Sequence, residues 1–130
     1  MKILASPLSL VTTTRGDDDG ATVRLVTRLT VDPDDPHLRG HFPGLTVLPG
    51  VFVIDAMCQA LAEHGNLLLR EVSNVRFLAP LLAGDELTLD ITAVPAGDGS
   101  WAVRAQGRRR DGTTTARIKA VFERAEDDDV

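Results

Sequence analysis

Alternating apolar and polar residues mark several stretches of this chain as strands with one buried face. Residues 22–31, TVRLVTRLTV, place valine, leucine and threonine on one face and two arginines on the other. This strand is expected to pair with residues 8–14 across the turn GDDDG. Three or four further strands are predicted within residues 67–79, 85–94, 101–110 and 115–122. The turns GDGS and DG between the last three indicate antiparallel hairpins.

One segment, Val51 to His64, has the character of a helix. It is rich in helix formers, follows Pro49-Gly50, and is followed by Gly65 as the expected stop. Its first half is apolar on nearly every side, which is typical of a buried helix. Two strands, a long loop, one helix and further strands therefore predict an α+β fold, in which a curved antiparallel sheet wraps one central helix.

The length of 130 residues fits one domain, which we place at residues 1–122. The net charge of −5 is concentrated at the end of the chain. Residues 123–130 hold five acids and one arginine, which is −4, and the remainder of the chain holds −1. We expect residues 123–130 to be a solvated, disordered tail.

Several functional classes are disfavoured by composition. No basic stripe with interleaved aromatics indicates a nucleic-acid partner, and no apolar run is long enough for a membrane span. The single cysteine, Cys58, fits a reducing cytoplasm and is expected to be a core residue. Three histidines and scattered acids do not form a metal-site pattern, and we expect no metal or other cofactor.

Two residues at the ends of 41-HFPGLTVLPGVFVIDAMCQ-59 can do acid–base chemistry together. His41 can accept a proton at neutral pH, and an Asp55 carboxyl surrounded by apolar residues can serve as a proton donor. Gln59 lies four residues after Asp55, on the same helical face, where its amide can hold the carboxyl group. The helix N-terminus at Gly50 and Val51 offers backbone N–H groups to a carbonyl oxygen gaining negative charge.

A plainer interpretation is also available for each of these residues. A histidine in a Pro/Gly loop is often a hydrogen-bonded structural residue, and an aspartate early in a helix is often a partner of the helix dipole. Composition and spacing alone leave both interpretations open.

The spaced pattern HFPGxxVxPGVxxxDAMxQ resembles the 3-hydroxyacyl-[acyl-carrier-protein] dehydratases of the hot-dog fold. The likeness continues in 75-VRFLAPLLAGDEL-87 and covers about residues 20–122. It implies that His41 removes the proton α to the thioester and that Asp55 helps the 3-hydroxyl leave as water. Gln59 would hold Asp55, and the Gly50 N–H would polarise the thioester carbonyl.

The resemblance also implies a homodimer, in which His41 of one subunit faces Asp55 of the partner subunit. The acid position departs from the common dehydratases, which have glutamate there. An aspartate is like the branch that also isomerises, so isomerase activity stays open. Two other functions stay open beside dehydration: a hot-dog thioesterase, and a non-catalytic subunit that binds acyl carrier protein.

The partner implied by the resemblance is an acyl carrier protein, which is acidic, as this chain is. Docking therefore requires a local basic patch. The candidate residues are Arg39, Arg76, Arg104, Arg108 and Arg110.

Overall fold

Six antiparallel strands and one helix make up the computed structural model over the residues that it describes, 8–15, 22–32, 50–82 and 84–125. The elements are β1 (Leu8–Arg15), β2 (Val23–Val31), α1 (Val51–Gly65), β3 (Leu67–Phe77), β4 (Glu86–Pro95), β5 (Ser100–Arg109) and β6 (Thr114–Arg124). Every predicted element is present within one or two residues of its expected ends, and the region after the helix holds four strands.

The strands form one sheet in the order β1-β2-β4-β5-β6-β3. The two strands at its edges are therefore β1, the first in the chain, and β3, which directly follows α1. Strand β3 pairs with β6 through two register shifts, between Leu69 and Glu71 and between Val72 and Asn74. Such bulges bend a strand and increase its twist, so the sheet curves at this edge.

The core lies between one face of the sheet and α1. Alternate residues of β2, β4, β5 and β6 point into it, and Leu87, Leu89 and Phe122 are completely buried. The helix contributes its own buried stripe: Val53, Ala56, Met57, Ala60 and Leu61. The α+β architecture predicted from the pattern, with one helix packed against an antiparallel sheet, is confirmed.

The helix differs from expectation in two respects. Gly65 is its last residue, and Asn66 makes the stop, with a left-handed backbone (φ 54°) and an N–H that donates to the Leu61 carbonyl. The described residues also cover the helix on one side only, since Val51 is 62% exposed and Phe52 and Ile54 are half-buried. A single sheet packs against one face of a helix, so an all-round apolar helix keeps an uncovered side.

Helix α1 has 15 residues. In the described part of the chain, no helix has the length and apolar character needed to cross a membrane.

Candidate active site

Asp55 and Gln59 form a hydrogen-bonded pair on α1. The Gln59 Nε2 donates to Asp55 Oδ2 over 2.9 Å, because residues four apart lie on the same side of a helix. The contact predicted from the spacing is confirmed. Asp55 stands beyond the first turn, which holds no acidic residue, and the dipole effect fades within that turn. The helix dipole therefore does not account for this carboxylate.

The pair faces a small cleft between α1 and the β1–β2 hairpin. Polar groups of Thr13, Thr27, Gln59 and Glu63 line it together with apolar side chains of both strands. The two threonine hydroxyls lie 3.2 Å apart, and Thr27 is buried. The cleft measures about 70 Å³, room for about two waters. The described residues therefore form a polar recess beside Asp55, and this recess alone is too small to enclose an acyl thioester.

The hairpin's part in this cleft was not anticipated from the sequence. Its one signal was Thr27, a threonine within the otherwise apolar face of the strand at residues 22–31. Asp55 itself is exposed in the single chain, whereas the sequence predicted a carboxyl surrounded by apolar residues. The reason is that the described residues cover α1 on one side only.

Gly50 precedes the helix, and its carbonyl accepts hydrogen bonds from the Val53 N–H (3.0 Å) and the Ile54 N–H (3.4 Å). The N–H groups of Gly50 and Val51 have no partner among the described residues. The ring of Phe77 lies against Gly50, and a Cβ added there would be 2.6 Å from Phe77 Cε1. The missing side chain therefore makes room for an aromatic ring, a role that the sequence did not reveal.

Cys58 lies between Asp55 and Gln59 in the sequence of α1 and is half-buried. Burial, with a smaller effect from the nearby Asp55 charge, raises the pKa of its thiol to about 11. A thiol with so high a pKa is a poor nucleophile at neutral pH, which agrees with the predicted core role. Within the described ranges, no three His, Cys, Asp or Glu side chains group as a metal site.

Some predicted residues fall outside the described ranges. His41 and Arg39 are among them, and so are the rest of the HFPG loop and residues 126–130 of the predicted tail. The first two residues of that predicted tail, Glu123 and Arg124, instead belong to β6, because they pair with β3. The roles of His41 and Arg39 stay predictions. His64 is exposed in the last turn of α1, as expected for a surface residue.

The candidate docking arginines divide into two groups. Arg108 forms an ion pair with Asp90, and Arg110 forms one with Glu86 at 3.2 Å. Glu86 also binds Arg28 at 2.6 Å, and these two arginines hold the pKa of its carboxyl below the usual range. By contrast, Arg76 and Arg104 are exposed and make no ion pair with any described residue.

Comparison with protein families gives one match that covers most of the chain. The ApeI-like family model, described as ApeI dehydratase, matches residues 17–116. The chain is also similar to two proteins named 3-hydroxyacyl-[acyl-carrier-protein] dehydratase FabZ. The protein from Geobacter metallireducens is 31% identical over 111 residues, which are 76% of this chain and 74% of the relative. The protein from Thermus thermophilus is 37% identical over 95 residues, which are 62% and 67% of the two chains.

Solved structures share the fold. An uncharacterized protein from Erwinia carotovora subsp. atroseptica superposes with a TM-score of 0.71 at 24% identity, covering 90% of this chain and 96% of that one. The dehydratase heterocomplex ApeI:P from Xenorhabdus doucetiae gives a TM-score of 0.67 at 22% identity, covering 90% and 98%. At these identities the likeness supports the hot-dog fold alone.

Proposed function

This chain belongs to the ApeI-like dehydratases, within the 3-hydroxyacyl-[acyl-carrier-protein] dehydratases, and we propose that Asp55 and His41 are the acid and base of its reaction. The enzyme removes water from a 3-hydroxyacyl thioester on an acyl carrier protein and leaves the trans-2-enoyl thioester. The Asp55–Gln59 hydrogen bond at 2.9 Å carries the assignment, because it fixes a carboxyl group at the mouth of a polar cleft.

The elimination requires one proton to leave carbon 2 and one to reach the departing oxygen. His41 takes the proton from carbon 2, whose electrons form the new double bond as the bond from carbon 3 to oxygen breaks. Asp55 in its protonated form gives its proton to that oxygen, which departs as water. Gln59 acts as a positioning residue, since its amide limits the orientations of the Asp55 carboxyl group.

The thioester oxygen gains negative charge as the proton leaves carbon 2. The N–H groups of Gly50 and Val51 are not used by α1 itself, because the first N–H groups of any helix lack an intrahelical acceptor. We assign the Gly50 N–H to this oxygen, where one such donor is typically worth about 10²–10³-fold in rate.

A second copy of the chain completes the site in this proposal. Strand β3 is an edge strand of 11 residues, and long exposed edges readily pair with another strand. Apolar side chains are exposed along it and just beyond: Leu68, Leu69, Val72, Phe77, Leu78 and Leu82. Pairing of β3 with the same strand of a second subunit would cover them and form a homodimer. The cleft of about 70 Å³ supports this proposal, because a substrate would need a further surface to enclose it.

The alternatives are not favoured. A thioesterase or a non-catalytic carrier-binding subunit would not explain membership in a dehydratase family together with the paired Asp55 and Gln59. We place the enzyme in fatty acid or polyketide-type biosynthesis. We also place it in the cytoplasm, where a single cysteine stays reduced.

The test uses a purified 3-hydroxyacyl carrier protein of medium chain length and follows loss of water by mass spectrometry. His41→Ala and Asp55→Asn should each lower the rate by about 10²–10⁴-fold while the protein stays folded. Asp98→Asn is the control, the same chemical change at an exposed hairpin turn, and should keep the wild-type rate. Wild-type activity in Asp55→Asn would remove Asp55 from the reaction.

A further inference from the structure

Four cations lie together on the outer face of the sheet, the face turned away from α1. Arg104 of β5 stands directly opposite Lys119 of β6, and Arg117 of β6 stands directly opposite Arg76 of β3. The alternation of these strands turns all four outward, and all four are exposed. We call this set, Arg76, Arg104, Arg117 and Lys119, the outer-face patch.

The patch contains two like-charge pairs side by side. Like charges directly opposite on neighbouring strands destabilise a sheet, and no described acid forms an ion pair with any of the four. Asp90, which borders the same shallow groove of about 430 Å³, is taken by Arg108. Arg108 and Arg110 are thus ion-paired, whereas none of these four cations forms an ion pair with a described acid. Four facing cations do not add to the stability of the sheet, and they form a surface suited to an anionic partner.

We propose that the outer-face patch is the docking surface for the acidic acyl carrier protein. The inference rests on the proposed function, which requires such a carrier, and on charge complementarity. Because this chain has a net charge of −5, it repels another acidic protein at long range. A local cluster of four unpaired cations restores the attraction over a Debye length of about 8–10 Å.

The patch reaches β3, the strand whose Phe77 ring contacts Gly50. Arg76 and Phe77 are adjacent on β3 and point to opposite faces of the sheet, as successive strand residues do. Arg76 belongs to the patch, whereas the Phe77 ring lies against Gly50 at the start of α1.

A second copy of this chain is a weaker candidate for the occupant. A symmetric contact places the same surface patch on both partners, so the four cations of one subunit would meet those of the other. The patch is therefore suited to a different, acidic molecule.

The experiment compares two double variants with the same change in charge. Arg104→Gln with Lys119→Gln removes one like-charge pair from the patch. Arg108→Gln with Arg110→Gln removes two arginines from the same strand and the turn after it that already have acidic partners. Each variant is assayed with one acyl group on three carriers: acyl carrier protein, pantetheine and coenzyme A.

We expect the patch variant to lower kcat/KM for the carrier-protein substrate about tenfold at low salt and to act on acyl-pantetheine as the wild type does. The difference should shrink as salt is added. The control variant should change kcat/KM by no more than about twofold. The Tm of the patch variant should equal or exceed that of the wild type, because a repulsive pair is gone.

Three results would overturn the proposal. They are equal losses in both double variants, an equal loss on acyl-pantetheine, and a matching loss on the coenzyme A thioester, which would assign the patch to nucleotide phosphates. Failure of the proposed function is seen separately, as no water loss by the wild type from any substrate. Calorimetric titration of carrier protein into the same variants then decides docking by itself, since unchanged affinity in the patch variant would contradict it.

Discussion

Gly50 holds a place that a side chain would disturb. An added Cβ would lie 2.6 and 2.7 Å from two carbons of the Phe77 ring, well inside van der Waals contact. Gly65, at the other end of α1, differs: its added Cβ would meet Leu61 and Val23 at 3.6 and 3.7 Å. The two glycines therefore form a matched pair. A side chain at Gly50 would collide with the Phe77 ring, whereas a side chain at Gly65 would fit.

We expect Gly50→Ala to cost less than the about 1–3 kcal/mol typical of overpacking in a core, because the Phe77 ring that it meets is 54% exposed and can move aside. Gly65→Ala should be neutral or stabilising by up to about 1 kcal/mol, because alanine is the better helix former. Truncating the ring in Gly50→Ala/Phe77→Ala should recover part of the loss, so the double variant is less destabilised than the sum of its singles. Urea unfolding at fixed protein concentration measures all four, and strict additivity would show that the ring is not the obstacle.

At the scale of the elements, Glu86 links two strands and the turn after β5. It accepts hydrogen bonds from Arg28 of β2 at 2.6 Å and from Arg110 at 3.2 Å. These bonds hold its pKa below the usual 4.5, so the ionised carboxylate stabilises the folded state. The contribution is complete above pH 4.5 and is lost as pH falls through the lowered pKa.

Glu86→Gln should therefore lower Tm at pH 7, and the gap to the wild type should close as the pH is taken below 4.5. Glu63→Gln is the control, since Glu63 is an exposed glutamate with no ion pair to a described residue; its Tm should follow the wild type throughout. Thermal unfolding monitored by circular dichroism across this range gives the comparison. A gap in Tm that is constant with pH would mean that the effect of Glu86 does not depend on its charge.

The elements were predictable because each depends on a local pattern: strand alternation, a run of helix formers, and turn residues. The Asp55–Gln59 contact was predictable for the same reason, since a spacing of four residues fixes a helical face. Strand register is not local. The pairing of β4 with β5 places Asp90 opposite Gln106, two residues from both Arg104 and Arg108, and the ion pair forms with Arg108. The sequence offered these arginines as equivalent docking candidates, and the sheet distinguishes them.

At the scale of the whole molecule, the sequence could not predict which surface buries the helix. An apolar helix predicts burial, without saying whether its own sheet or another subunit supplies it. The sheet covers one side, and the exposed edge of β3 and the small cleft at Asp55 both indicate a second surface. A shared active site therefore makes a prediction that a self-contained site does not.

Mixing two inactive variants distinguishes these arrangements. If His41 of one subunit works with Asp55 of the partner subunit, a dimer of one His41→Ala and one Asp55→Asn chain keeps one intact site and one doubly defective site. Equal amounts, unfolded and refolded together, give heterodimers as about half of all dimers, so activity should recover to roughly a quarter of wild type. If both residues of a site came from one chain, every site in the mixture would lack one residue and activity would stay at the level of the separate variants. Refolding each variant alone is the control, and sedimentation confirms that the mixture is dimeric.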